Sequence, residues 1–151
     1  AQMDADGSHR ARDLVKLYAR MFGPDDPDMA IGSRWVAGGR TEDWTPARIA
    51  LSRAGNAYVR AMLGLRTRDA TAGFRVHRAQ WLAETDVIAS RGYSFQMELT
   101  MRAEQVGAVV VEVPVDFRER DAGESKLSMG IAWEELRLVT SWGLDRVLGN
   151  Q

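Results

Sequence analysis

Apolar positions along the chain recur at helical and strand spacings, and they predict alternating helices and strands. The helical pattern of residues 14–22 stops at Gly23-Pro24, and a second helical pattern covers residues 49–63. Between them, Met29–Ser33 is a short apolar run that is typical of a buried strand. The other predicted elements are strands at 71–76 and 109–117 and helices at 79–89, 95–106 and 131–148. This alternation predicts the α/β fold class.

Two loops and the start of the chain complete this prediction. Residues 35–46 are rich in Gly, Trp and Thr, and residues 118–126 are polar, so both are predicted loops. Pro114 places the strand predicted at 109–117 near the edge of a sheet. An α/β sheet ordinarily begins with a strand, yet the polar segment Asp4-Ala5-Asp6 comes almost at once. We therefore expect the beginning of the domain to precede this chain.

Composition narrows the class of protein. The 151 residues are 45% hydrophobic and 27% charged, which suits one globular domain with a core. The absence of cysteine excludes disulfide frameworks, zinc ribbons and thiol nucleophiles. Residues 108–115 form the most apolar stretch, and they are too few to span a membrane. Because no basic-then-apolar leader pattern is present, we expect a cytoplasmic protein whose contact with a membrane is peripheral.

Charge is unevenly distributed along the chain. Residues 1–33 carry a net charge of −2, residues 34–78 of +6 and residues 79–151 of −5. The basic segment predicts an anionic ligand bound at one place, and it argues against a nucleic-acid partner, which requires a basic domain. The alternative interpretation is compositional, because 18 of the 20 basic residues are arginine.

Asp4 and Asp6 form the first candidate site. They follow the expected end of a strand, where open α/β sheets bind their ligands. Two carboxylates at this spacing can hold Mg²⁺ or Mn²⁺ together with substrate phosphates. Helix capping by Asp6 or Ser8 is the alternative interpretation.

Seven motifs spread over residues 3–126 occur in an order that resembles one family. They are Met3-Asp4-Ala5-Asp6-Gly7-Ser8-His9, Ile31-Gly32-Ser33-Arg34, Ser52-Arg53-Ala54-Gly55-Asn56, Asp69-Ala70-Thr71-Ala72-Gly73-Phe74-Arg75, Gly92-Tyr93-Ser94-Phe95-Gln96-Met97-Glu98, Glu112-Val113-Pro114, and Arg120 followed by Gly123-Glu124-Ser125-Lys126. In this combination the chain resembles the dolichol-phosphate and polyprenol-phosphate mannose synthases of the family 2 glycosyltransferases. Residues 32–36 and 38–40 are most similar to the bacterial branch.

The resemblance implies a fold, a reaction and a cofactor. The implied fold is the C-terminal portion of a GT-A type (Rossmann-like) glycosyltransferase domain, with a metal- and acceptor-binding core at 1–126 and an amphipathic helix at 127–151. The implied reaction is the inverting transfer of mannose from GDP-mannose to polyprenyl phosphate with Mg²⁺ or Mn²⁺. Because the nucleotide-binding half of that fold is not in this sequence, we expect the chain alone to be inactive.

The resemblance also implies roles for individual residues. The metal ligands would be Asp4, Asp6 and Ser8, and the donor would contact Asp4, Asp6, Gln96 and Glu98. The acceptor phosphate is expected at Arg34, Arg48, Ser52, Arg120 and Lys126. Asp6, Arg48 and Arg120 are the expected catalytic residues. The structural alternatives are exposed surface arginines and, for Glu98, a favourable place at a helix N-terminus.

Three alternatives remain at this point. The donor could carry glucose or an amino sugar, because phosphate-binding residues say little about sugar hydroxyls. The chain could instead be a noncatalytic module that binds sugar nucleotides or lipid phosphates. Contact with the cytoplasmic face of a membrane is expected through the last helix, which carries Trp133 and Trp142, through a neighbouring loop or through a membrane protein partner. Packing of that helix on its own domain is the alternative.

Overall fold

Helices and strands alternate along the residues that the structure describes, a computed structural model covering 1–85, 93–119 and 129–149. Its helices are α1 (Ala11–Met21), α2 (Pro46–Leu63), α3 (Ala79–Glu84), α4 (Tyr93–Gln105) and α5 (Met129–Leu148). Its strands are β1 (Met29–Ser33), β2 (Arg40–Thr41), β3 (Arg75–His77), β4 (Val110–Pro114) and β5 (Asp116–Phe117). The predicted α/β class is confirmed.

β1 is the central strand of a mixed sheet whose order is β3-β1-β4. It runs antiparallel to β3, with Ala30 opposite Val76, and parallel to β4, with Ala30 opposite Val111. Gln2 adds a bridge on the outer side of β3, where its N–H donates to the carbonyl of Arg75 at 2.7 Å. The segment that carries the two candidate aspartates therefore begins beside this sheet.

β2 and β5 form a second pair of strands, parallel to each other, with Arg40 opposite Asp116. The prediction of a single strand at 109–117 is therefore wrong. β4 ends at Pro114, which has no N–H to donate, and the chain enters the second pair after Val115. The predicted edge position of Pro114 is confirmed, because β4 is outermost in the described sheet order.

The strand predicted at 71–76 begins only at Arg75. The residues before it form a turn, in which the carbonyl of Asp69 accepts the N–H of Ala72 at 3.2 Å. The strand predicted at Met29–Ser33 is confirmed with the same bounds. Helices are also confirmed where they were predicted, at 14–22, 49–63, 95–106 and 131–148.

Two further boundaries differ from the prediction. The loop predicted at 35–46 contains β2, and its last residue begins α2. The helix predicted at 79–89 ends at Glu84, because Thr85 has an extended backbone with ψ of 114°. The remainder of that prediction, residues 86–89, lies outside the described residues.

α2 carries two of the candidate phosphate-binding residues, Arg48 and Ser52, four positions apart. Thr45 caps the helix, since its Oγ1 accepts the N–H of Arg48 at 3.3 Å, and proline follows in the first turn. Gly64 ends the helix with φ of +70°, a left-handed conformation that favours glycine. The predicted common helix face of Arg48 and Ser52 is confirmed.

Buried apolar side chains form three clusters, two on the faces of the mixed sheet and one between helices. One face packs against α1 through Leu17, Ala30, Phe74, Val76, Val113 and Val115. The other face packs against α4 through Met29, Ile31, Ala72, Leu99 and Ala103. The third cluster lies between α2, α4 and α5 and contains Val59, Leu63, Leu65, Ala70, Met97, Met101 and Val139.

α5 packs against α2, as one of the two interpretations of this helix predicted. The hydroxyl groups of Tyr58 and Thr140 are hydrogen-bonded at 2.7 Å, and a Cβ at Gly143 would lie 2.7 Å from the Met62 methyl group. Trp133 is 62% exposed on the same helix. No helix in the described part of the chain has the length and apolar character needed to cross a membrane.

Arg75 is a fully buried arginine that joins the turn before β3 to α4. It donates from Nε to the carbonyl of Ala72 at 2.7 Å, from Nη2 to that of Ala70 at 2.8 Å and from Nη1 to Thr100 Oγ1 at 2.8 Å. Burial lowers the pKa of Arg75 to about 9, against the opposing charge of Asp69. The hydrogen bonds of the guanidinium hold the turn that begins at Asp69 against α4.

His77 lies at the end of β3, where its ring stacks on Trp81 with centroids 6.0 Å apart. Burial, and to a smaller extent the positive charge of Arg75, lower the pKa of His77 to about 4. The folded protein therefore holds this side chain uncharged at neutral pH.

We expect His77 to make stability depend on pH. Its pKa is 6.5 in the unfolded chain, so between pH 6.5 and about 4 the unfolded chain binds a proton that the folded chain does not. The stability contribution is complete above pH 6.5 and falls as the pH is lowered, by roughly 1–2 kcal/mol at pH 5. In urea unfolding of the intact protein, His77→Phe should lose less stability than the parent between pH 7 and pH 5. Equal losses would contradict the buried neutral state.

Candidate active site

Asp69 is a fully buried carboxylate that organises the carboxyl end of β1. Its Oδ2 accepts the backbone N–H of Arg34 at 2.9 Å and the side-chain Nε–H at 2.8 Å, and its Oδ1 accepts Nη2–H at 2.6 Å. Nη2 also donates to Thr71 Oγ1 at 3.1 Å. Pairing at two points fixes the plane of the Arg34 guanidinium as well as its position.

Two glutamates hold the loop that presents Asp69. Glu112 of β4 accepts the backbone N–H groups of Arg68 and Asp69 at 2.8 and 3.0 Å. Glu104 of α4 accepts the N–H and the hydroxyl of Thr67 at 2.9 and 2.7 Å. Because these bonds restrain the backbone from Thr67 to Asp69, they hold Asp69 where it contacts Arg34.

The loop after β1 folds back tightly on that strand. A Cβ at Gly39 would lie 2.5 Å from the carbonyl oxygen of Ser33, so only glycine fits there. The loop brings Trp35 and Trp44 together, with ring centroids 6.4 Å apart. The guanidinium of Arg34 lies 5.4 and 5.5 Å from these two centroids, within the range of a cation–π contact.

Arg48 reaches the same aromatic surface from α2. Its guanidinium lies 4.1 Å from the ring centroid of Trp44, and it forms an ion pair with Glu119. Arg34 and Arg48 therefore both lie close to the Trp44 ring, at 5.5 and 4.1 Å from its centroid. Arg34 pairs with a carboxylate that solvent does not reach, whereas the side chain of Glu119 is 41% exposed. Of the two arginines, Arg48 is therefore the more accessible to solvent, at 37% exposed against 11% for Arg34.

Ser52 is connected to Arg34 by a chain of hydrogen bonds. The Ser52 carbonyl accepts from Asn56 Nδ2 at 3.1 Å, and the same nitrogen donates to Thr71 Oγ1 at 3.2 Å. Thr71 Oγ1 in turn accepts from Arg34 Nη2. The predicted acceptor residues Arg34, Arg48 and Ser52 thus belong to one connected region.

Asp4 and Asp6 lie in the segment that enters the sheet beside β3. Asp6 Oδ1 accepts the N–H of the buried Ser8 at 3.1 Å and its hydroxyl at 2.5 Å. A Cβ at Gly73 would lie 3.6 Å from each Asp4 carboxylate oxygen, so that carboxylate lies over the Gly73 backbone. The alternative that Asp6 or Ser8 caps α1 is wrong, because Arg10 precedes this helix and no side chain caps it.

The two aspartates fit one kind of metal site. Their carboxylates are hard oxygen ligands, which suit Mg²⁺ or Mn²⁺. In the described ranges no group of three or more His, Asp or Glu side chains could hold a metal ion. Metal binding by Asp4 and Asp6, with the other ligands supplied by substrate phosphates and water, stays a prediction. Ser8 orients Asp6 here, and its role as a metal ligand stays a prediction.

Sequence comparison relates the chain to proteins of known name. It is 46% identical over 145 residues to the undecaprenyl-phosphate mannosyltransferase of Micrococcus luteus, covering 95% of this chain and 58% of the relative. It is 43% identical over 154 residues to the polyprenol monophosphomannose synthase of Mycolicibacterium smegmatis, covering 98% of this chain and 57% of the relative. The chain is homologous to these two named proteins over part of their length. The resemblance in the sequence motifs is confirmed.

The chain spans less than three fifths of the length of these curated mannose synthases. No family model matches it.

The donor-binding residues expected for a mannose synthase, Gln96 and Glu98, are both buried on α4. Glu98 forms an ion pair with Arg102 at 2.8 Å. It follows the first turn of α4, so the alternative that it is placed at a helix N-terminus is wrong. The sugar contacts of Gln96 and Glu98 stay predictions. Arg120 and Lys126, expected at the acceptor phosphate, lie outside the described residues.

Sequence reasoning did not single out Asp69, Trp44 or Glu119. Asp69 was visible only within a motif, and its partner Arg34 is distant in sequence. Trp44 left a usable signal, since an aromatic residue directly before the cap of α2 lies one turn from Arg48. The +6 segment is also less basic in the folded protein, because carboxylates from outside it pair with two of its arginines, Arg48 and Arg78.

We expect Asp69→Asn to lower the free energy of unfolding by about 3–5 kcal/mol, because it leaves the Arg34 charge without its buried partner. Urea unfolding of the intact protein measures this. Asp25→Asn is the matched control, since Asp25 is 52% exposed and pairs with Arg20 at the surface. The control should change stability by less than about 1 kcal/mol. Similar effects of both variants would contradict the organising role of Asp69.

Proposed function

We propose that the chain is the C-terminal portion of a GT-A glycosyltransferase that transfers mannose from GDP-mannose to polyprenyl phosphate with inversion. One similar protein is named an undecaprenyl-phosphate mannosyltransferase, and the other is named a polyprenol monophosphomannose synthase. The single observation that carries the proposal is the convergence of Arg34 and Arg48 on Trp44. Two guanidinium groups on one aromatic ring are suited to a phosphate dianion.

The acceptor requires positioning more than activation. A phosphate monoester has a second pKa of about 6, so at neutral pH it is already a nucleophile. Its oxygen forms the new bond to the anomeric carbon while the bond from that carbon to the diphosphate oxygen breaks, and the electron pair leaves with the nucleoside diphosphate. A rigid guanidinium at Arg34 and an exchangeable one at Arg48 orient the acceptor for this displacement. Arg120 and Lys126 are proposed to complete the phosphate contacts.

The donor is proposed to lie at the Asp4 and Asp6 end of the same region. These carboxylates would hold Mg²⁺ or Mn²⁺, which when bound offsets the negative charge that grows on the leaving diphosphate. Ser8 keeps one oxygen of Asp6 in a fixed direction through its hydroxyl. Gln96 and Glu98 are proposed to contact the sugar.

Peripheral contact with the cytoplasmic face of a membrane, directly or through a membrane protein partner, is part of the proposal. A lipid acceptor has to reach a protein that carries the phosphate site. The apolar side chains exposed on α5 support this contact, with Trp133 at 62%, Leu144 at 53% and Val147 at 74%. Exposed apolar side chains on a helix can enter the membrane interface.

A transfer assay on the intact protein tests the proposal. Polyprenyl phosphate is incubated with radiolabelled mannose, glucose or amino-sugar nucleotides, with and without divalent metal. We expect labelled lipid from GDP-mannose only when metal is present. Transfer from another nucleotide would change the donor, and binding without transfer from any donor would favour a noncatalytic module.

We expect Asp6→Ala to reduce transfer by at least about a hundredfold without unfolding the protein, because one metal-binding carboxylate is lost. Asp4→Ala should have a smaller effect. Rates are measured at limiting Mg²⁺, and Asp25→Ala at the surface is the control. An unchanged rate in Asp6→Ala under these conditions would contradict the metal site.

Arg48→Lys should lower kcat/KM for polyprenyl phosphate by about tenfold, because a point ammonium cannot make two parallel hydrogen bonds to phosphate. Arg12→Lys is the matched control, since Arg12 is 58% exposed and pairs with Asp116. Steady-state kinetics with varied lipid phosphate measure the effect. If the Arg48 variant and the control behave alike, Arg48 is a surface residue.

A further inference from the structure

His9 is a buried histidine beside the candidate metal ligands. Its side chain is 4% exposed, and its Nε2 lies 3.7 Å from Asp4 Oδ2. Within the described residues neither ring nitrogen has a hydrogen-bond partner. An unsatisfied buried polar group costs about 1–3 kcal/mol, so this imidazole calls for a physical explanation.

The ring of His9 is held on two sides by aromatic residues. Its centroid lies 4.5 Å from that of Phe74, and 5.2 Å from that of Phe117, which meets it edge-on at 79°. The backbone next to His9 is hydrogen-bonded to the residue that follows β5, because Arg118 N–H donates to the Ser8 carbonyl at 3.1 Å. Packing between two phenylalanines accounts for an aromatic ring at this position, but not for its nitrogens.

Asp4 is the partner that can adjust. Its side chain is half exposed, whereas the imidazole is enclosed. The present separation of 3.7 Å is longer than a hydrogen bond. A small rotation of the Asp4 carboxylate closes it, and such contacts commonly shorten when a ligand binds.

We propose that His9 is a positioning residue for Asp4, which rests on the proposed metal-binding function of Asp4 and Asp6. With Nε2 protonated, it donates to Asp4 Oδ2 and turns the other carboxylate oxygen toward the cation. Partners of this type orient carboxylate ligands, and their removal weakens metal binding by about 10–100-fold. His9 itself contacts neither the metal nor the substrate.

Three substitutions at His9 separate the role of Nε2 from that of the ring. His9→Phe keeps an aromatic ring between Phe74 and Phe117 and removes both nitrogens. The amide nitrogen of His9→Gln can reach the position of Nε2, whereas that of His9→Asn reaches only the position of Nδ1. His77→Phe is the matched control, since His77 is a half-buried histidine whose Nδ1 has no hydrogen-bond partner among the described residues, and it lies at the far end of β3.

The measurement is Mn²⁺ binding to the intact protein at pH 7.5, followed by the electron paramagnetic resonance signal of free Mn²⁺. We expect the dissociation constant to rise at least about tenfold in His9→Phe and His9→Asn, and to stay within about threefold of the parent in His9→Gln. His77→Phe should match the parent. Thermal unfolding verifies that each variant is folded.

Two results would overturn the role of His9 alone. One is parent-like Mn²⁺ affinity in a folded His9→Phe, and the other is an equal loss in His9→Gln and His9→Asn, which would point to packing. If His9→Phe does not fold, the comparison of Mn²⁺ affinity between His9→Gln and His9→Asn decides the role of His9. If the parent itself does not bind Mn²⁺, the proposed metal site fails and the role of His9 fails with it.

Discussion

The pairing of Asp69 with Arg34 is the constraint on which the rest of the site depends. A buried carboxylate is tolerated only when it is paired and hydrogen-bonded, and Asp69 meets this condition through three bonds to Arg34. Those bonds require that the end of β1 and the loop that carries Asp69 lie side by side. Glu112 of β4 holds that loop in place by accepting the N–H of Asp69. The energetic requirement of one buried charge therefore sets the relative placement of three elements.

That placement divides the work between two arginines. The guanidinium of Arg34 is held in place by Asp69 and lies near the Trp44 ring. Arg48 lies near the same ring, but its carboxylate partner, Glu119, is exposed. Arg34 can orient a bound phosphate because its own position is fixed. Arg48 can bind a phosphate in place of its exposed carboxylate partner. The aspartates enter beside β3, where Arg75 controls the adjoining turn through its bonds to backbone carbonyls.

The local elements were largely predictable from sequence, whereas the contacts between them were not. Met29–Ser33 was predicted with its observed bounds, because five consecutive buried positions leave a continuous apolar pattern. The strand at 109–117 was predicted as one element, because hydrophobicity continues past Pro114 although the partner strand changes. Family motifs selected Arg34, but its bond to Asp69 is a long-range contact that no local spacing encodes. Trp44 was missed although it precedes Arg48 by four positions, a local spacing that could have indicated their contact.

A crystal structure of the intact protein with a short-chain prenyl phosphate tests the central claim most directly. The account predicts the phosphate between the guanidinium groups of Arg34 and Arg48, with Arg34 still paired to Asp69 and Arg48 released from Glu119. A phosphate bound elsewhere, with Arg48 still paired to Glu119, would contradict it.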